Sequence, residues 1–224
     1  MPKNTQDIRT LGYVLRRTNY GEADRILNII TPEGKISAIA KGVRKEKSKL
    51  AGGIEMFSRI DLNIHQGKDK MGIVTSAKML KYFGNILKDF SRTETAAMVL
   101  KKISVISDSS DSPDYYYMVD QTMEALDDNT NLDLIKIWFN FNLKKVSGED
   151  INLYRDTDGQ KLDSSKIYSW DFYEKALKEN PSGDITANEI KIMRLVLTNK
   201  LKTVAKIKNI GELISPISAI SNAL

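Results

Sequence analysis

Short stretches in which apolar and polar residues alternate fill the first third of the chain, and glycine-containing turns separate them. In residues 35–41, Ile36, Ala38 and Ala40 alternate with more polar neighbours, which is the two-residue period of a half-buried strand. The other such stretches are residues 8–17, 25–31, 56–64 and 72–77. Five short strands with no helix between them predict a small closed β-barrel over residues 1–80.

The period becomes helical after about residue 78. Two capping boxes, one at Ser91 with Glu94 and one at Thr186 with Glu189, predict the first residues of two helices. Residues 132–146 are apolar nearly all the way round, which is typical of a helix buried at the centre of a helical domain. The sequence therefore predicts an α+β protein with a barrel domain at 1–80 and an α-helical domain at 81–224. A polar, turn-rich insertion is expected within the latter at about 149–169.

Composition removes several classes of chemistry. The 224 residues include no cysteine and a single histidine, His65, which excludes disulfides, thiolate metal sites and any site that needs two imidazoles. No apolar run approaches the ~20 residues of a membrane helix, and the first residues lack the apolar segment of a secretory signal. We expect a soluble, cytoplasmic protein without membrane contact.

Positive charge is concentrated in the first third of the chain. Residues 1–80 carry 15 basic and 8 acidic side chains, a net of +7, whereas the other 144 residues carry 19 basic and 21 acidic side chains, a net of −2. Such an asymmetry is typical of an anion-binding module joined to a neutral or acidic body.

The densest basic run is residues 41–49, with five cations and one anion directly after a predicted strand. A polyanion is its natural partner, because each phosphate that is neutralised releases condensed counterions. Strand faces and loops of a five-stranded barrel form a groove for single-stranded nucleic acid, in which aromatic rings stack on bases. Tyr13, Tyr20 and Phe57 are the available rings, although Phe57 is more simply explained as a core residue.

No motif for catalysis is present. Asp156 and Asp158 begin like a calcium loop, but position 12 is Ile167 instead of glutamate, so a surface β-turn is the better interpretation. Neither a phosphate-binding loop for nucleotide hydrolysis nor a nucleophile elbow occurs. We expect no catalytic residues, no metal and no cofactor. In the tyrosine triplet 115–117 at least one ring should be exposed, since three consecutive rings cannot share one helix face.

The first eighty residues resemble the RecO family of bacterial recombination mediators. The residues that carry the resemblance, over about residues 8–80, are Leu15-Arg16-Arg17, Tyr20-Gly21-Glu22-Ala23-Asp24-Arg25-Ile26, Thr31-Pro32-Glu33-Gly34-Lys35-Ile36, Ala40-Lys41-Gly42-Val43-Arg44, Lys47-Ser48 and Gly53. The helical remainder is similar in architecture only.

The resemblance implies an N-terminal OB-fold barrel that binds single- and double-stranded DNA, and a helical body that meets protein partners. Members of this family anneal complementary strands and, with RecR, load RecA onto strands coated by single-stranded-DNA-binding protein (SSB), without covalent chemistry. The partners it implies are therefore DNA, RecR, SSB and, indirectly, RecA, at the nucleoid. The phosphate contacts carried over to this sequence are Arg16, Arg17, Arg25, Lys35, Lys41, Arg44, Lys45 and Lys47.

One departure from the family is the absence of the four-cysteine zinc module that many members carry in the helical part. Residues 149–169 lie where that module is expected, but they contain Asp, Asn and Tyr in place of thiols, so we predict no zinc there. A groove with Lys144 and Lys145 near Phe141 is a candidate for the acidic, apolar tail of SSB. An RNA- or tRNA-binding barrel protein remains the alternative function, which recognition of the 2′-hydroxyl would distinguish.

Overall fold

The computed structural model describes residues 6–67, 71–110, 112–149 and 151–224. The chain divides into two compact units, Met1–Asp127 and Asp128–Leu224. The strands of the N-terminal part end at residue 82 and a helical stretch follows, close to the predicted change of period. The division into domains at residue 80 is a prediction from secondary-structure type, and the first two helices lie within the same compact unit as the strands.

Five strands of the first unit form a closed barrel. They are β1 Gln6–Tyr20, β2 Asp24–Thr31, β3 Gly34–Ala40, β4 Ser58–Gln66 and β5 Gly72–Tyr82. The order around the barrel is β1-β2-β3-β5-β4, and β4 pairs with β1 to close it. All pairs are antiparallel except β3 with β5, so the predicted five-stranded barrel is confirmed.

The barrel core follows from the alternation in the sequence. Leu27, Ile29 and Ala38 point inward from β2 and β3, and Ile60 and Leu62 point inward from β4; all are fully buried. At Gly12 on β1 a Cβ atom would lie 2.6 Å from Cγ2 of Ile29, so glycine permits the close approach of β1 to β2 there.

Two helices complete the first unit, α1 Phe90–Ile106 and α2 Asp114–Asp127. The helix α1 begins two residues earlier than a cap at Ser91 predicts, and its cap is Asp89, whose carboxylate accepts a hydrogen bond from the backbone N–H of Arg92 at 2.9 Å. The predicted cap at Ser91 is therefore wrong. In the tyrosine triplet of α2, Tyr115 and Tyr116 are buried and Tyr117 is 51% exposed, as expected for three consecutive rings.

The second unit contains helices around a small sheet. Its elements are α3 Leu132–Val146, β6 Asn152–Asp156, β7 Tyr168–Asp171, β8 Ala176–Glu179, α4 Ala187–Thr198, α5 Leu201–Val204, α6 Ile210–Leu213 and α7 Ser215–Ala223. As predicted, α3 is its buried centre, and the capping box of Thr186 and Glu189 begins α4.

A three-stranded sheet of order β6-β8-β7 lies between α3 and α4 along the chain. The segment predicted as a turn-rich insertion, residues 149–169, thus contributes β6 and the first residues of β7; Asp150 lies outside the described residues. Asp156 accepts backbone N–H bonds from Asp158 at 3.0 Å and Gln160 at 2.7 Å, which confirms the surface turn predicted there.

Candidate nucleic-acid interface

Residues 41–57 connect β3 to β4, and we call this segment the capping loop because it closes one end of the barrel. Val43 and Ile54 of the loop are 3% and 0% exposed and belong to the barrel core. A Cβ atom on Gly53 would lie 2.3 Å from the carbonyl oxygen of Ala77, so the loop backbone rests directly on β5. The basic run is therefore part of a packed structure.

Three hydrogen bonds hold the first residues of the capping loop against the turn between β1 and β2. The backbone N–H of Gly42 donates to the Asp24 carboxylate at 2.7 Å. The backbone N–H of Arg44 donates to the carbonyl of Ala23 at 2.9 Å, and its guanidinium donates to the carbonyl of Gly21 at 3.2 Å. Gly42 has a φ of 62°, a conformation that glycine adopts without strain.

The cations of the capping loop point to solvent. Those that are exposed are Lys41, Arg44, Lys45, Lys47 and Lys49, with Glu46 as the exposed acid among them. Within the described residues, the ammonium groups of Lys41, Lys45, Lys47 and Lys49 form no hydrogen bond or ion pair. The structure thus adds Lys49 to the cations predicted from the sequence, and leaves these ammonium groups available to an external anion.

Arg16 lies exposed on the outer face of β1. In the strand register it is opposite Asn28 of β2, which is opposite Ser37 of β3. The Ser37 hydroxyl donates to the Asn28 side chain at 3.1 Å, so these three residues form a polar row across the outer face. Arg16 is the cation of that row and has no partner of its own within the described ranges.

Arg17 and Arg25 project on the inner side of the sheet, near the end that the capping loop closes. Arg17 lies opposite the buried Leu27, and its guanidinium is 3.0 Å from the carboxylate of Glu55 in the capping loop. The Nε atom of Arg25 donates to the Asn19 side chain at 3.3 Å. Both guanidinium groups already have protein partners, so they brace the barrel end and are less available than the loop lysines.

Lys35 is not brought together with the other predicted cations. It lies at the start of β3, six residues before Lys41, which corresponds to about 20 Å along an extended strand. Its side chain is 9% exposed, and its ammonium group donates to the Ser104 carbonyl at 2.7 Å and pairs with Asp108. Lys35 thus binds the last turn of α1, and its ammonium group is engaged there.

Of the three rings considered for stacking, Tyr20 is the one with a largely exposed face. It is 53% exposed at the end of β1, whereas Tyr13 is 1% exposed and packs on Phe83 with ring centroids 6.1 Å apart. Phe57 is half-buried. Tyr13 is therefore a core residue and not a stacking platform, because its environment excludes a base from either face.

A partly buried polar network attaches α2 to the barrel. The Tyr13 hydroxyl donates to Asp120 at 2.6 Å, and Arg59 of β4 donates to the same carboxylate at 3.0 Å. Arg59 also lies 3.7 Å from Glu124, which pairs with Lys81 of β5. Burial, and then the bond to Asp120, raise the pKa of Tyr13 well above its ordinary value. These carboxylates are occupied by cations, so they form a structural network and not an acid–base pair.

Other groups considered for chemistry also have structural partners. His65 lies at the end of β4, with its Nδ1 2.7 Å from the Asp7 carboxylate. Within the described ranges, no three histidine or acidic side chains come close enough together to hold a metal ion. In the same part of the chain, no helix has the length and apolar character needed to cross a membrane.

A closed five-stranded barrel in which β3 pairs in parallel with β5 and β1 pairs with both β2 and β4 is an OB-fold, the barrel class that binds oligonucleotides and oligosaccharides. The cations on its capping loop and outer face mark it as a basic member of that class. A family model described as the N-terminal part of recombination protein O matches residues 5–83, which is the barrel.

Curated relatives extend this similarity. A DNA repair protein RecO from Dehalococcoides mccartyi is 29% identical over 219 residues, covering 94% of this chain and 86% of the relative. Proteins of the same name from Bifidobacterium longum and Alkaliphilus metalliredigens are 35% and 33% identical over 122 and 144 residues, covering 53% and 63% of this chain and 51% and 58% of those relatives. The barrel thus matches the N-terminal RecO model, and the chain is similar to proteins named RecO over most of its length.

Proposed function

We propose that this protein, which has a role in DNA repair and recombination, binds single- and double-stranded DNA through the capping loop and the adjacent outer face of the barrel. The observation that carries the proposal is the group of exposed ammonium groups on a loop fixed by core packing and by the turn between β1 and β2. The contacts are Arg16, Lys41, Arg44, Lys45, Lys47 and Lys49. Arg17 supports the loop through Glu55, and Arg25 bonds to Asn19 of β1.

The mechanism is electrostatic. Each ammonium group that contacts a phosphate displaces condensed counterions, and the entropy of their release drives binding. A strand whose phosphates are neutralised repels a second strand less, so complementary sequences meet and pair. The exposed ring of Tyr20, next to the loop anchor at Gly21, is placed for one base to stack on it. No covalent step is required, and we propose that the protein is not an enzyme.

Protein partners follow from the family resemblance. We propose that the chain acts with RecR, and thereby helps load RecA, on strands coated with SSB in the cytoplasm at the nucleoid. Of the two lysines considered for the SSB tail, Lys144 is ion-paired with Glu149 and Lys145 donates to the Leu197 carbonyl at 2.9 Å.

A cavity of about 430 Å³ in the second unit offers a more complete site for that tail. Trp170 and Phe172 provide apolar walls, and Lys144 and Lys175 provide cations that both pair with Glu149. Glu174 also lines the cavity. An acidic peptide that ends in an apolar residue matches this combination, since its carboxylates can replace Glu149 as the partners of the lysines.

The test is fluorescence anisotropy of a labelled single-stranded DNA, followed by annealing of complementary strands measured by fluorescence quenching. We expect binding that weakens with salt, by a log–log slope of about −0.7 for each phosphate contacted, and faster annealing with the protein than without it. A matched RNA strand should compete no better than DNA. Stronger competition by RNA would favour the tRNA-binding alternative, and absence of any binding at low salt would refute the proposal.

A further inference from the structure

A second basic surface lies in the unit formed by residues 128–224. Between Glu189 and Glu212 the sequence contains six basic side chains and no acidic one. Residues 81–224 carry a net charge of −2, so this concentration of positive charge is local. The segment runs from α4 through α5 to α6.

Four lysines of this segment form what we call the lysine surface: Lys200, Lys202, Lys206 and Lys208. All four are exposed, and in the part of the chain that the structure describes none has a hydrogen-bond or ion-pair partner for its ammonium group. Lys144, Lys166 and Lys175 of the same unit, by contrast, are each paired with a glutamate. Arg194 of α4 is also engaged, because its guanidinium donates to the Leu153 carbonyl at 2.6 Å.

The backbone that carries the lysine surface is fixed by packing. Leu201 and Val204 are 0% and 1% exposed, so their buried side chains hold α5 against the rest of the unit. The indole N–H of Trp138 donates to the carbonyl of Asn199 at 2.9 Å, directly before the first of the four lysines. The lysines are thus held within a short stretch of chain, so a ligand bound there would not have to order the backbone.

The chemistry of the surface selects its ligand. Among the residues between the lysines, Leu201 and Val204 are buried, Ala205 and Ile207 are half-buried, and Thr203 is exposed, as is Asn209 after the last lysine. A surface that offers charge without exposed aromatic or aliphatic side chains suits a phosphate backbone, because backbone contacts need only cations. It is poorly suited to an amphipathic peptide or to membrane insertion, which also require apolar contact.

We propose that the lysine surface binds a second nucleic-acid strand at the same time as the capping loop binds the first. This inference rests on the proposed DNA-binding function and extends it. Two strands held by one chain would be brought to a high effective concentration, which converts their pairing from an encounter in solution to an encounter on the protein.

The test counts the strands bound by each full-length chain. A labelled oligonucleotide of about eight nucleotides, within the range of one OB-fold site, is titrated at low salt into protein at a concentration far above the dissociation constant. We expect saturation at two strands per chain for the wild type. The variant with glutamine at all four positions of the lysine surface should saturate at one strand, and the variant with glutamine at Lys41, Lys45 and Lys47 should also retain one.

A matched control changes Arg155, Lys161, Lys166 and Lys178 to glutamine, which removes the same charge from exposed positions of the same unit. It should still saturate at two strands. Circular dichroism spectra should be the same for all variants, since every substituted side chain is exposed.

Different failures have different readings. The second site is overturned, and the proposed function remains intact, if the wild type binds one strand per chain and the capping-loop variant alone loses it. If the wild type binds one strand and the lysine-surface variant alone loses it, both the second site and the placement of the first are wrong. Two strands in every variant would also refute the lysine surface. If its variant instead loses binding only to phosphatidylserine vesicles, the ligand is a lipid surface and the inference is wrong.

Discussion

Asp24 provides a test in which two physical effects have opposite signs. Its carboxylate accepts the hydrogen bond from the Gly42 backbone that fixes the start of the capping loop. Replacing Asp24 by alanine removes a negative charge next to the proposed DNA site, which alone would strengthen binding. The same change also removes the anchor of the loop, which alone would weaken it.

Magnitudes decide between the two effects. A hydrogen bond to a charged group contributes about 1.5–3 kcal/mol, and a loss of 2 kcal/mol corresponds to an affinity change of about thirtyfold at most. A charge about 10 Å from a phosphate in water contributes about 0.4 kcal/mol before screening, or about twofold. We therefore expect Asp24→Ala to weaken single-strand binding by about five- to tenfold, although the formal net charge rises from +5 to +6.

Anisotropy titrations at one salt concentration measure this effect, and two variants act as controls. Asp24→Asn makes the same change of charge but keeps an oxygen acceptor for the Gly42 N–H, so its affinity should lie between that of the wild type and a value about twofold higher. Glu22→Gln removes an exposed acid two residues away that has no partner within the described residues, and should strengthen binding by about twofold. Tighter binding by Asp24→Ala, equal to that of Glu22→Gln, would refute the argument that the loop must be held in place.

Three further predictions concern the first unit. Lys35→Met should lower the free energy of unfolding, measured in urea, by about 1–2 kcal/mol, because the bonds to Ser104 and Asp108 are lost. The affinity for DNA should stay within about twofold of the wild type. A larger loss of affinity would mean that Lys35 does contact DNA. Asp120→Ala should cost about 2–3 kcal/mol and accelerate hydrogen exchange in β1 and α2, since two donors lose their acceptor, and unchanged exchange would contradict the network. Burial and the nearby Asp120 carboxylate raise the pKa of Tyr116 from 10.0 to about 12, so the folded protein holds this proton more tightly than the unfolded chain does. The free energy of unfolding should therefore fall as the pH rises from about 10 to about 12. Tyr116→Phe should show a smaller fall in urea midpoint over this range, and identical curves for variant and wild type would contradict the shift.

The barrel could be predicted because its signals are local. The apolar–polar alternation of a strand, and the glycine turns between strands, depend on neighbouring residues alone. The alternation of Ile36, Ala38 and Ala40 predicted a strand at the position of β3. The sheet of the second unit was missed for the same reason. In β6, Leu153 is the one buried residue, so the strand shows no apolar alternation, and its pairing with β8 crosses a long stretch of chain.

The candidate site was predicted in part. The exposure of Lys41, Lys45 and Lys47 could be predicted because a dense basic run has few possible partners close in sequence. The environment of Lys35 could not be predicted, since its partner Asp108 is 73 residues away and only the packing of α1 brings the two together. Tyr13 is a similar case, because its hydroxyl bonds to Asp120, 107 residues away. Long-range contacts decide whether a residue with suitable chemistry remains available for binding.

The central claim is that the capping loop contacts phosphates, and the salt dependence of single-strand binding tests it most directly. We predict that changing Lys41, Lys45 and Lys47 to glutamine makes the log–log slope less steep by about 2, that is, by about 0.7 for each lost contact. A control with glutamine at Lys78, Lys88 and Lys101, which are exposed elsewhere in the same unit, should keep the wild-type slope. Equal slopes and affinities for the two triple variants would contradict the account, because the loop cations would then contribute nothing beyond net charge.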